Sequence, residues 1–161
     1  MHPRAAELIR ALALEAHREG GWYARVFRSE RSVAPADGRP ERAALTVIHY
    51  LLVAGTHSRW HRVRSDESWH HHEGGPLQLL VAPPDGGAIA SVRLGSCSTT
   101  ERPAHVVPAG WWQAARPLGD YALVSCAVAP GFEWEDFTLL AELPESERPV
   151  LEPEHLLRSC A

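Results

Sequence analysis

One stretch, residues 55–74, constrains the fold of this chain more than any other part, and a glycine stands at each end of it. Side chains of a β-strand alternate between its two faces, so His61 and Val63 share one face of their strand. A short turn at 64–66 then leads into the strand that carries Glu67. The stretch therefore predicts a β-hairpin with a histidine on one surface of its first strand and a carboxylate on one surface of its second.

The second strand of this hairpin adds further side chains to that surface. By the same alternation, Trp69 and His71 face the same way as Glu67. A histidine and a carboxylate in a dry cavity form either an acid/base pair or two ligands of a metal ion, and the pattern leaves both open. The three consecutive histidines 70–72 cannot all bind one metal, because neighbouring side chains lie on opposite faces.

Short apolar runs separated by Gly and Pro turns continue along the chain. They predict strands over 22–29, 43–53, 77–81, 88–94, 105–107, 111–115, 121–128 and 137–140. Many short strands without helices between them indicate an all-β sandwich or closed barrel. A short helix over 4–17, ended by glycines 20 and 21, precedes the strands, and another over 152–158 follows. The length fits one domain, 1–161, with its core at about 20–140.

Composition excludes several classes of function. The formal net charge is −4, so there is no basic footprint for nucleic acid, and no apolar run is long enough for a membrane span. The chain has no lysine, which excludes lysine Schiff-base chemistry. Cys97, Cys126 and Cys160 are too far apart for a Cys-based zinc site and indicate a reduced, cytoplasmic compartment.

A second constellation lies at 108–113, where Pro108 and Gly110 precede Trp111 and Gln113. By alternation, Trp111 shares a face with Gln113. A neutral amide is a weak metal ligand, and it is better suited to hydrogen-bonding a substrate hydroxyl or carbonyl. We therefore interpret Gln113 as a substrate-binding residue.

Taken together and in order, these stretches resemble the two motifs of the cupin superfamily. The first motif runs Gly-x5-His-x-His-x3/4-Glu-x6-Gly, and Val63 stands where its second histidine belongs. The second contains Pro-x-Gly-x2-His-x3-Asn, and here Gln113 occupies the His position and Pro117 the Asn position. Two of the four ligand positions of a typical cupin metal site are therefore changed.

The chain resembles one branch in particular, that of small, functionally uncharacterised single-domain cupins, over residues 5 to about 140. The stretches that carry this resemblance are 17–23, 27–29, 61–62, 65–67, 69–70, 108–110, 112–113 and 129–137. Members of the branch usually have an acidic residue at the position of Arg25. If Arg25 faces the cavity, this change alters the charge offered to a substrate.

The resemblance implies a jelly-roll barrel of two antiparallel sheets with a pocket in the barrel mouth, and a homodimer. It also implies relatedness to sugar-nucleotide epimerases of the cupin fold, which need no metal. No cofactor is favoured. A divalent metal remains open, with His61, Glu67, Gln113 and His71 as its ligands.

These observations predict an enzyme that acts on a small sugar-like or carbonyl-bearing molecule by epimerisation, isomerisation or dehydration. His61 and Glu67 would move the proton. The residues assigned to substrate binding are Gln113, Trp69, His71, Trp111, Tyr50 and Arg25. Two alternatives remain: a cupin that binds or senses a ligand without catalysis, and a metal-dependent oxygenase or isomerase.

Overall fold

The computed structural model of the chain describes residues 1–160. Its strands are β1 (Glu15–Ala16), β2 (Trp22–Arg28), β3 (Ser32–Val33), β4 (Arg42–Ala43), β5 (Thr46–Val53), β6 (Ser58–Val63), β7 (Asp66–Gly74), β8 (Leu77–Ala82), β9 (Gly87–Ala88), β10 (Ala90–Leu94), β11 (Ala104–Val107), β12 (Trp112–Pro117), β13 (Tyr121–Ala129), β14 (Phe137–Leu139) and β15 (Leu151–Glu152). The α-helices are α1 (Pro3–Ala11) and α2 (Glu154–Arg158), and short 3-10 helices span Trp134–Asp136, Leu140–Glu142 and Glu145–Glu147. No helix in the described part of the chain is long and apolar enough to cross a membrane.

Two antiparallel sheets form the body of the fold. The larger one has the strand order β1-β2-β5-β13-β7-β11, and the smaller one has the order β10-β8-β12-β6-β14. Strands that are far apart in the sequence are neighbours in both sheets, as in a jelly roll. The predicted all-β jelly-roll of two antiparallel sheets is thereby confirmed.

The main hydrophobic core lies between the sheets. Tyr50 and Trp69 come from the larger sheet and Leu79 from the smaller one, and all three are almost completely buried. Alternation explains which residues of each strand contribute, since Val124 and Cys126 of β13 point inward and Ser125 between them does not.

The N-terminal helix is shorter than the sequence indicates. It ends at Ala11, and Ala13 takes a positive φ of 50°, after which Leu14 is buried against the outer face of the larger sheet. The next residues form β1 and pair with β2, so the apolar periodicity that continued past Leu12 belongs to a strand. The glycines predicted to end the helix instead form the turn between these two strands. Gly20 has a φ of 115°, and a Cβ there would collide with the carbonyl of His57.

The hairpin predicted for residues 55–74 is wrong, because its two strands, β6 and β7, belong to different sheets and do not pair with each other.

Several predicted strands differ in their limits. The run 43–53 is divided into β4 and β5, the run 88–94 into β9 and β10, and the terminal helix begins at Glu154 instead of residue 152. These breaks let the chain turn at the edges of the sheets, where β4 pairs with β3 and β9 pairs with β15.

A buried ionic cluster fastens the loop before β4 to the 3-10 helix Trp134–Asp136. The Asp136 carboxylate accepts hydrogen bonds from Arg42 Nε at 2.9 Å and from Arg42 Nη2 at 3.2 Å. Arg39 Nη1 donates to the same carboxylate at 2.9 Å and to Ser65 Oγ at 3.1 Å. The neighbouring arginines lower the pKa of Asp136 against the opposing effect of burial, so the carboxylate stays ionised.

We expect Asp136→Asn to lower the melting temperature by roughly 5 °C, because it leaves two arginines without their shared counter-charge. Asp37→Asn is the matched control, since Asp37 also pairs with Arg39, at 2.8 Å, but is largely exposed. Its melting temperature should change by about 1 °C or less. Thermal unfolding followed by circular dichroism measures both, and equal shifts for the two variants would contradict the structural role of Asp136.

Candidate active site

A cavity of about 270 Å³ opens between the two sheets. Its lining combines buried polar groups with an aromatic wall. The polar groups are His17, Glu19, His61 and Glu67, and the aromatic residues are Tyr23, Phe132, Trp134 and Phe137. Both sheets contribute to it, so the cavity depends on the fold of the whole body.

His61 is held in one tautomer at the floor of the cavity. It lies on β6, aligned with Gln113 of β12, and is 2% exposed. Its Nδ1–H donates to the carbonyl oxygen of Arg59 at 2.8 Å, so the neutral ring carries its lone pair on Nε2. Burial lowers the pKa of His61, and the Glu67 carboxyl opposes this only in part. The imidazole is therefore neutral and available as a proton acceptor.

Gln113 joins His61 to Glu67 across the two sheets. The Trp69 indole N–H, which can only donate, donates to Gln113 Oε1 at 2.9 Å. The amide nitrogen is thereby turned toward the cavity floor, where it donates to Glu67 Oε2 at 2.6 Å and to His61 Nε2 at 3.1 Å. The oxygen and both hydrogens of this amide are thus already used within the protein.

Glu19 is the closest acidic partner of His61. Its Oε2 lies 3.2 Å from His61 Nε2, and its Oε1 accepts a hydrogen bond from Ser58 Oγ at 2.9 Å. Burial raises the pKa of Glu19, and the nearby His17 and Ser58 reduce that rise. Glu19 Oε2 and His61 Nε2 are therefore two buried atoms close enough to share a proton.

Glu67 is the second carboxyl group with a raised pKa. Burial is the largest cause, His61 and the Gln113 amide oppose it, and Glu19 adds to it by charge repulsion. Cys126 lies beside Glu67, and burial raises the pKa of its thiol well above the usual range. The cavity therefore places carboxyl groups of raised pKa beside a neutral imidazole, which is a pairing that suits general acid/base chemistry.

The structure brings three of the predicted residues together, since Gln113 bridges His61 and Glu67. Arg25 also lines the cavity, at its exposed side. Trp69 does not line the cavity, because it lies behind Gln113 and is completely buried.

Tyr50, Trp111 and His71 do not line the cavity either. The Tyr50 hydroxyl donates to the Gly20 carbonyl at 2.7 Å, and Trp111 packs against the main core. His71 Nε2 donates to the carbonyl of Gly75 at 3.0 Å. It is four residues beyond Glu67 on the same strand, which places it roughly 13 Å further along.

Sequence reasoning missed Glu19 and the aromatic wall. Glu19 belongs to neither motif, and the turn at Gly20 and Gly21 is what directs it toward His61, 42 residues further on. His17 and Trp134 stack with ring centroids 5.6 Å apart, although 117 residues separate them in the chain. The available signals were the stretches 17–23 and 129–137 of the family resemblance, which contain His17, Glu19 and Trp134.

The donor set at the cavity floor does not fit a metal ion. Within residues 1–160, no group of three or more His, Cys, Asp or Glu side chains is arranged to hold one. Val63 presents an apolar side chain to the cavity, and the Gln113 oxygen faces the Trp69 indole. His71, proposed above as a replacement ligand, is bound elsewhere.

The raised pKa of Glu67 predicts a pH-dependent effect of Glu67→Gln on stability. Because the folded pKa lies above the unfolded value of 4.5, the folded state keeps this proton at pH values where the unfolded state has lost it, and wild-type stability falls as pH rises through that window. The neutral glutamine has no such loss. We expect the two proteins to melt alike at pH 4 and the variant to melt higher at pH 8, measured by scanning calorimetry. A variant that becomes less stable than wild type as pH rises would show that Glu67 is ionised.

Comparisons with known proteins agree with this architecture. A family model described as Cupin_5, Cupin superfamily (DUF985), matches residues 6–140. An uncharacterised protein of Saccharomyces cerevisiae is 30% identical over 149 residues, covering 83% of this chain and 74% of the yeast protein. A hypothetical protein from Leishmania major has a TM-score of 0.85 and 32% identity over 98% of both chains. A protein of Shewanella oneidensis has a TM-score of 0.81 and 32% identity over 98% of this chain and 96% of its own.

Proposed function

Because the chain belongs to the cupin superfamily, in the family described as DUF985, we propose that it is a small-molecule enzyme that moves a proton without a metal ion. The reaction class is isomerisation, epimerisation or dehydration. The observation that carries this proposal is the buried pair of Glu19 Oε2 and His61 Nε2, 3.2 Å apart, with Gln113 linking His61 to Glu67.

The pair can accept a proton from a carbon next to a carbonyl group. Glu19 takes the proton from the substrate carbon while the proton shared by Glu19 and His61 passes to His61 Nε2, which places positive charge on the imidazole, opposite the negative charge that develops on the substrate. Glu67, whose pKa burial raises, donates a proton to the substrate oxygen. The Arg59 carbonyl stabilises the imidazolium through its bond to Nδ1.

The size and walls of the cavity support a compact substrate. A volume of about 270 Å³ is at the lower end of ligand pockets. His17 packs edge-on against Tyr23 at 4.5 Å and stacks with Trp134 at 5.6 Å, so one wall is aromatic. Such a wall suits the apolar face of a sugar-like ring or a planar carbonyl group.

Proton exchange with solvent tests the proposal and does not require that the natural substrate be identified first. Untagged protein is incubated in D2O with a panel of small sugars, hydroxy acids and keto acids, and NMR detects deuterium entering at carbon. We expect at least one compound to exchange in a reaction that depends on His61. A ligand that raises the melting temperature but never exchanges would favour a binding or sensing protein instead.

The metal-dependent alternative has its own test. Elemental analysis of untagged protein should find no stoichiometric Fe, Ni, Mn or Zn, because the cavity lacks a fitting donor set. Stoichiometric metal that is lost in His61→Ala would overturn the metal-free proposal. The homodimer stays a prediction, for which light scattering is the measurement.

A further inference from the structure

Arg25 is a cation at the cavity without a counter-ion. It lies on β2, is exposed, and contributes to the cavity lining. It makes no hydrogen bond or ion pair with any residue that the structure describes. Arg28, three residues further along the same strand, is held by Glu133 at 2.6 Å. Of the two, only Arg25 keeps its guanidinium available to a ligand.

We propose that Arg25 binds an anionic group of the substrate, a carboxylate or a phosphate, at the mouth of the cavity. This inference rests on the proposed function, because it assigns the substrate class to the same site. A planar guanidinium donates two parallel hydrogen bonds to either group. The substrate would be a small hydroxy or keto acid, or a phosphate ester of similar size, with its reacting carbon directed toward His61.

The backbone fixes the direction of Arg25. Tyr23 and Arg25 align with Tyr50 and Ile48 of β5, and the register shifts directly after Arg25. A β-bulge of this kind redirects the following residues, and here Phe27 is half exposed. Arg25 is therefore placed at the last position before the strand leaves the cavity.

Electrostatics also favour an anion at this position. Burial raises the pKa values of Glu19 and Glu67, which lowers the negative charge that these two carboxyl groups would set against an anion. Glu15 also lines the cavity, near the Tyr23 hydroxyl. Burial is the largest cause of the raised pKa of Tyr23, and the hydrogen bond to Glu15 raises it further. The charge of Arg25 acts on the same hydroxyl and lowers its pKa, but no hydrogen bond or ion pair with the described residues holds the guanidinium.

Matched probes test this inference by binding alone. We would titrate glycerate, glyceramide and glycerol 3-phosphate at constant ionic strength, following the Trp134 indole N–H by NMR, because Trp134 lines the cavity. At least one anion should bind about tenfold to a hundredfold more tightly than the neutral amide. Arg25→Gln should remove that preference and leave glyceramide unchanged. The control is Arg31→Gln, which removes the same charge from an exposed residue outside the lining and should keep the preference.

The outcomes separate this inference from the proposed function. An anion preference that persists in Arg25→Gln overturns the assignment, and so does the absence of any anion-dependent shift of Trp134. If no compound exchanges deuterium but the preference depends on Arg25, the anion site stands and the catalytic proposal fails.

Discussion

His61→Asn is expected to reduce deuterium exchange by roughly a thousandfold, within the range that general acid/base groups contribute. Asparagine can keep the hydrogen bond to the Arg59 carbonyl, because its amide nitrogen takes the place of Nδ1. It has no titratable nitrogen to replace Nε2. The variant should therefore fold normally and fail in proton transfer, which is measured by the NMR exchange rate at saturating substrate.

The control for this variant is His72→Asn. His72 is exposed on the outer face of the larger sheet, where its Nε2 contacts Ser125 Oγ at 2.8 Å, and it does not line the cavity. Its exchange rate should match wild type within a factor of about two. Full activity in His61→Asn, with wild-type melting behaviour, would contradict the assignment of His61.

A double variant tests whether Glu19 and His61 act as one unit. Glu19→Gln keeps the acceptor for Ser58 but cannot exchange a proton with His61 Nε2. Because groups that act together give non-additive losses, the double variant should be no slower than His61→Asn alone. If the loss of exchange rate in the double variant equals the product of the two single losses, Glu19 and His61 act independently.

Strand alternation predicted which residues share a face, and the fold implied by the resemblance directed His61 and Glu67 into one cavity, where both are in the lining. The predicted hairpin between them is wrong, because β6 and β7 belong to different sheets. Alternation thus gave the face of each residue but not the pairing of the strands. Glu19 was beyond its reach, because the position of Glu19 is set by the turn at Gly20 and by the long-range hydrogen bond from Ser58. Local periodicity carries no information on such pairings.

Alternation also does not show how far along its strand a residue lies from the cavity. It gave Trp69 and His71 the same face as Glu67, but Trp69 packs behind the Gln113 amide and His71 lies at the far end of β7. The tryptophan that does line the cavity, Trp134, belongs to a 3-10 helix fixed by the buried Asp136. Its position follows from an ionic cluster, which no strand pattern predicts.

Val63→His is expected to create a metal site that the natural chain lacks. Val63 is 4% exposed, lines the cavity, and shares the inner face of β6 with His61, two residues away. A histidine there adds a second imidazole beside His61, with Glu67 as the third donor. Since protein metal sites usually need at least three good ligands, we expect Zn²⁺ or Ni²⁺ affinity to rise by more than about a hundredfold.

Calorimetric titration of untagged protein measures that gain. Val150→His is the control, because Val150 is 74% exposed and remote from the cavity, and it should leave metal affinity unchanged. A metal ion bound there takes the His61 Nε2 lone pair that now accepts from Gln113. The variant should therefore gain metal affinity and lose proton exchange together. If the wild-type protein already binds the metal as tightly through His61, the valine at position 63 is not what prevents metal binding. The opposite changes expected in one variant therefore test whether a single side chain separates proton transfer from metal binding in this barrel.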